Sequence, residues 1–242
     1  STRGEGHLAG LTDLISATNA DGVVLDTKGA SSKELQEAAD KARAGVVMYS
    51  EGMAIPKDMP SIVSGRVHNA LYYVPMLNLN KFIKTDFAIF RVAELYKEKI
   101  QREFATSFFN GYGTELNIFA PGMPEWVDDQ YKYLGKTTRI LREHTSNFTH
   151  GIYTPLLPAL SDSIWVNEWK TEHKNIYTIY SLIPQGFKDL LFEVGEKKGY
   201  HFVDVWHHTL LTPKEKNGKT YIEAHTSSFD HQFLGTNNEG EV

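Results

Sequence analysis

The chain has 242 residues, 41% of them hydrophobic and 23% charged, with a formal net charge of −5. Basic and acidic residues are interspersed, so the basic stripe that nucleic acids require is missing, and no apolar run is long enough to cross a bilayer. There are no cysteines, which excludes disulfides, thiolate metal sites and a cysteine nucleophile.

Residues 8–18 carry apolar side chains at helical spacing and predict a first helix. It feeds the run Asp21-Gly22-Val23-Val24-Leu25-Asp26, which ends in a carboxylate. Residues 31–43 open with capping serines and a nearby Glu and predict a second helix. The run Ala44-Gly45-Val46-Val47-Met48-Tyr49-Ser50-Glu51 again ends in a carboxylate. Strand, helix, strand in so few residues reads as a parallel, right-handed βαβ unit. Both strands of such a unit end on one side of the sheet. Asp26 and Glu51 are therefore expected at a common mouth, where α/β folds place their chemistry.

Next come a loop with Pro56 and Pro60 and a Tyr- and Asn-rich stretch over 67–80. Residues 87–92 are a third short apolar run, and 96–109 follow helical periodicity. Residues 108–115 read as a strand end with its loop, and 126–144 as an amphipathic helix. This alternation matches about half of a (β/α)8 barrel. From about residue 149 the pattern changes to short strands, at 164–169, 175–182, 190–194, 201–206 and 220–224. Turn residues such as Pro184-Gln185-Gly186 and Lys216-Asn217-Gly218-Lys219 separate them, as in an antiparallel sandwich. The expected fold is α/β: a partial (β/α)8 (TIM-type) barrel over 1–150, then an antiparallel β-sandwich over 151–242.

The segments DGVVLDTKG, GVVMYSEGM, FAIFRVAEL and FFNGYGTELNIFAPG, followed by a strand-rich tail, resemble a large class of bacterial glycoside hydrolases. Those enzymes join a (β/α)8 barrel to a C-terminal β-sandwich. The resemblance implies that Asp26 holds the carboxylate position of the fourth barrel strand and Glu51 that of the following strand. It also implies that the earlier strands lie outside this sequence. The chain is then the C-terminal part of a longer polypeptide, with the missing barrel half as its partner. A carbohydrate substrate, no cofactor, no metal, and a periplasmic or extracellular location follow from the same resemblance.

Paired carboxylates are what glycosidic cleavage needs. With retention, one attacks the anomeric carbon while the other protonates the leaving oxygen, at a separation of about 5–5.5 Å; about 6.5–9.5 Å admits a water and gives inversion. Asp26, with polar neighbours Thr27 and Lys28, is assigned as nucleophile or base. Glu51 is assigned as acid, because the apolar strand and Tyr49 would desolvate it. The plainer alternative is that Asp26 caps the next helix or closes a turn, and Glu51 is solvated. Glu115 competes for the acid role: the glycine-containing loop with Asn110 would bring Tyr112 and Glu115 over the mouth, or else is an ordinary turn. Arg91 would orient a carboxylate or bind an acidic sugar, or else form a structural ion pair. His68 and Asn69 would bond sugar hydroxyls, beside tyrosines that stack on sugar faces, or else pack in a rim loop.

Two other function classes stay open: a non-catalytic carbohydrate-binding protein on a degenerate barrel, and a metal-dependent hydrolase using His68 with Asp26 and Glu51. Other signals carry less. The Gly4 to Gly10 run has the wrong glycine spacing for a dinucleotide fingerprint. His201, His207 and His208 lack metal-site spacing. Ser50 lacks the glycine of a nucleophile elbow.

Overall fold

Helix α1 (His7–Thr18) forms where Leu11 and Ile15 stand one turn apart, and both are buried. A computed structural model describes residues 6–26, 31–52, 55–67, 77–94, 101–117 and 127–230, with backbone alone at 66–67, 89–94 and 117. The chain divides into two units: Ser1–Ala70 with Asn78–Val92, and Leu71–Leu77 with Ala93–Val242.

In the first unit, α1 ends at Asn19, whose φ of 52° lies in the left-handed region that Asn tolerates. Strand β1 (Gly22–Leu25) follows. Helix α2 (Lys33–Ala42) is opened by Ser32, whose hydroxyl accepts the Leu35 N–H at 3.2 Å. The buried Ala38 and Ala39 let α2 approach α1, and the Thr12 hydroxyl donates to the Ala38 carbonyl at 2.7 Å. Strand β2 (Val47–Ser50) runs parallel to β1, with Leu25 opposite Ser50. The expected βαβ unit is present.

Strands β3 (Ser64–Val67) and β4 (Ala88–Glu94) extend the parallel sheet in chain order. The expected loop with Pro56 and Pro60, leading directly into the Tyr- and Asn-rich stretch at 67, therefore needs correction. Ser64-Gly65-Arg66-Val67 has one β-branched apolar residue and no alternation; its ladder partners on both sides make it a strand. Short 3-10 turns at Met59–Ser61 and Leu79–Phe82 precede β3 and β4, the first containing Pro60.

One face of this sheet is covered and the other is not. Met48 and Ser50 are buried, and the Ser31 hydroxyl reaches the Met48 sulfur at 3.7 Å. On the opposite face Val24 is 59% and Val47 46% exposed.

In the second unit, α3 (Arg102–Phe109) takes in Phe108 and Phe109, as the helical periodicity over 96–109 expects and against the strand-end reading of 108–115. Their burial is helical. The helix closes in a Schellman motif: the Tyr112 N–H donates to the Ser107 carbonyl at 3.1 Å and the Gly111 N–H to Phe108 at 3.0 Å. Strand β5 (Thr114–Asn117) follows. Helix α4 (Val127–Glu143) places Asp128 and Asp129 in its first turn and Arg142 in its last, complementing the helix dipole. Helix α5 (Thr145–His150) precedes the change to antiparallel strands.

Strands β6 (Ile152–Thr154), β7 (Ile164–Lys170) and β8 (Asn175–Ser181) form one antiparallel sheet. Strand β9 (Phe187–Glu193) precedes the hairpin of β10 (Phe202–Asp204) and β11 (Thr209–Leu211). Strands β12 (Lys214–Lys216) and β13 (Lys219–Thr226) pair across the expected turn, where Asn217 and Gly218 both have positive φ, and β13 pairs with β9. Residues of β7, β9 and β13, among them Val166, Leu191, Phe192 and Ile222, share one apolar core, and the adjacent Leu191 and Phe192 both enter it where the β13–β9 register shifts. Three of the strands, β6, β11 and β12, are too short for the pattern to reveal.

Helix α3 is tied to β7 and β8 by a buried network. The Phe109 carbonyl accepts from Asn167 Nδ2 at 3.0 Å and from the Thr178 hydroxyl at 2.7 Å. Thr178 in turn accepts from the Trp169 indole N–H at 3.0 Å. Buried polar groups satisfied in this way fix a helix on a sheet in one position.

Candidate functional site

Because β1 to β4 are all parallel, their C-terminal ends share one edge of the first unit's sheet. Asp26 directly follows β1 and is exposed; Glu51 directly follows β2 and is half-buried. The Glu51 N–H makes the ladder bond to the Leu25 carbonyl at 3.2 Å, which sets its backbone beside the residue preceding Asp26. Ser50, buried, clasps the next turn: its hydroxyl donates to the Gly52 carbonyl at 3.1 Å and accepts the Gly52 N–H at 3.2 Å. Glu51 lies between the two clasped residues, so its backbone is held on both sides. That role for Ser50 was not readable from its failed resemblance to a nucleophile elbow.

The backbone of Arg91 pairs with Val67 near the ends of β4 and β3, on the same edge. Tyr49 is half-buried within β2, opposite Val24 on one side and Ser64 on the other. His68 and Asn69 lie outside the described residues. Arg66, one register step beyond the Ser50–Gly65 pair, is a basic residue that sequence reasoning missed because β3 itself was missed.

Asn110, Tyr112 and Glu115 belong to the second unit. Asn110 is fully buried, and its amide donates to the Thr106 carbonyl at 2.8 Å as part of the α3 cap. Tyr112 is buried in the same cap, and Glu115 is half-buried on β5. Gly111 has φ +73°, and a Cβ there would meet Phe148 at 2.7 Å.

Among the described residues no three His, Asp or Glu side chains are grouped to hold a metal. His207 instead bonds Asp204 through Nδ1 at 2.7 Å and stacks on His225 with ring centroids 4.5 Å apart. No described helix is long and apolar enough to cross a membrane.

No family model matches the chain, and no curated protein matches it in sequence. Solved structures do. One is a noncanonic maltogenic alpha-amylase, AmyB, from Thermotoga neapolitana, with a TM-score of 0.62, 12% identity, and 92% of this chain aligned to 64% of that one. A cyclomaltodextrinase gives a TM-score of 0.56 at 12% identity, over 90% of this chain and 46% of that one. AmyP in complex with maltose gives 0.60 at 12% identity, over 94% and 67%. The fold is glycosidase-like. At such identities the likeness is one of fold alone, and this chain spans less than two thirds of the length of the first two.

Proposed function

We propose that the chain is part of a glycoside hydrolase acting on an oligo- or polysaccharide, with Asp26 and Glu51 as its catalytic carboxylates. The observation that carries this reading is the parallel β1–β2 pair, which ends in one carboxylate after another at a single sheet edge. The glycosidase-like fold supports it. In the proposed architecture the parallel strands are half of a (β/α)8 barrel and the antiparallel sheets a β-sandwich, with the boundary near residue 150. The exposed valines of the sheet would then face the barrel interior, closed by strands from the rest of the polypeptide.

The exposed Asp26 suits a carboxylate that stays ionised as nucleophile or base. Glu51, half-buried and held by the Ser50 clasp, suits the acid that protonates the leaving oxygen. Tyr49, His68, Asn69 and Arg91 are proposed as sugar contacts around them. Glu115 is the alternative acid, and Asn110 and Tyr112 shape the segment that leads to it.

Asp26→Asn and Glu51→Gln are each expected to lower kcat/KM toward aryl glycosides by about 10²–10⁴-fold, with folding unchanged by circular dichroism. If Glu115→Gln produces that loss and Glu51→Gln does not, the acid role passes to Glu115. Hydrolysis untouched by all three changes would overturn the assignment. Sugar binding without any hydrolysis would establish the carbohydrate-binding alternative.

A further inference from the structure

Within the second unit, the described residues surround a cavity of about 880 Å³, inside the range of about 300–1,000 Å³ typical of small-molecule sites. Phe108 of α3, Tyr133 of α4 and Trp206, just after β10, all line it. The Trp206 ring stands 5.3 Å from that of Tyr133 and 5.9 Å from that of Phe108. Lys136 Nζ lies 4.2 Å from the Trp206 ring centroid. A half-buried indole held by two rings and a cation keeps its orientation before any ligand arrives, which lowers the ordering cost of binding.

A second group lining the cavity comes from the β7–β8 sheet. Glu168 Oε1 accepts from Tyr177 Oη and from Asn175 Nδ2, each at 3.1 Å. Both donors are neutral, and a carboxylate has lone pairs left for hydroxyl donors. Thr226, which also lines the cavity, has a buried hydroxyl with no hydrogen-bond partner. Buried polar groups are normally satisfied by protein, water or ligand.

The lining mixes acidic residues, Glu168, Glu172, Glu196 and Asp204, with the basic Arg102, Lys170 and Lys197, and has no excess of positive charge. Such a lining does not select an anion such as a phosphate or a fatty acid. Aromatic faces beside hydrogen-bonding groups suit a neutral ring that has an apolar C–H face and a hydroxyl edge. We infer that the second unit binds a neutral oligosaccharide in this cavity, through residues that include neither Asp26 nor Glu51. The choice of a sugar rests on the glycosidase reading above.

The test is equilibrium binding of maltotriose, cellotriose and xylotriose to the chain carrying Asp26→Asn, followed by tryptophan fluorescence and hydrogen exchange. At least one trisaccharide is expected to saturate and to protect backbone amides in β7, β8 and β10. Adding Trp206→Ala or Glu168→Gln should weaken it at least tenfold. Glu168→Gln keeps the side-chain size, so loss of binding with an unchanged melting curve is not misfolding. Absence of binding for all three sugars, binding that survives both substitutions, or protection confined to β1 and β2 would overturn the inference. Binding of 1-anilinonaphthalene-8-sulfonate without any sugar would overturn it as well, in favour of an apolar ligand. Hydrolysis that persists in Asp26→Asn counts against the catalytic assignment and leaves the cavity result standing, so the two failures are distinguishable.

Discussion

At Gly111 one absent Cβ decides how a helix ends. Its positive φ costs an L-residue roughly 1–2 kcal/mol, and the added carbon would also stand 2.7 Å from the Phe148 ring. Gly111→Ala is therefore expected to destabilise the second unit by about 2 kcal/mol or more, lowering the Tm of the tryptophan-detected transition by about 4–8 °C. An unchanged Tm would mean that the cap is dispensable. The same residues show how far single positions could be read. Asp26 and Glu51 were legible because each directly ends an apolar run. Asn110 and Tyr112 look like loop ligands in sequence, because the helical periodicity over 96–109 overlaps the strand-end reading of 108–115 and nothing local decides between them. Only the packing of Phe109 against Tyr180, ring centroids 5.6 Å apart, and the two bonds to its carbonyl reveal the cap.

Elements with a strong period were readable and short ones were not. Helices α1, α2 and α4 follow from apolar spacing and capping, and β7, β8 and β13 from alternation. Strand β3 has no pattern of its own and exists through its neighbours' ladders, a tertiary effect. The turn before β4 shows a further effect that a sequence hides. Lys81 is buried there, with its ammonium donating to the Thr85 carbonyl at 3.1 Å. Burial pushes its pKa down from 10.5 to about 8, with Asp86 opposing. Between those two values the unfolded chain holds a proton that the folded chain has released, so stability rises with pH across the window. Above it the two states match again. Lys81→Met should be more stable than wild type at pH 7.5, by no more than about 3 kcal/mol, with the gap closing by pH 10.5. Urea denaturation at both pH values checks this; a gap independent of pH would refute it.

For the molecule as a whole, the parallel β1–α2–β2 start and the run of antiparallel strands after residue 150 were legible, because both depend on patterns that repeat. Parallel sheets are normally covered on both faces, yet Val24 and Val47 are exposed. In the chain alone, Val24→Lys is expected to change stability by less than about 0.5 kcal/mol and to suppress concentration-dependent light scattering. In a polypeptide that also carries the proposed remaining barrel strands, the same change would bury an unpaired charge and be strongly destabilising. Equal effects in both settings would argue against a closed barrel.

Strand β1 stands at one end of the strand order, with no neighbouring strand beyond it among the described residues. Its outward amides and carbonyls form a socket for one more strand. If a further polypeptide carrying the proposed remaining barrel strands docks there, the two separately made chains should assemble on mixing and gain turnover, making an enzyme whose activity reports their encounter.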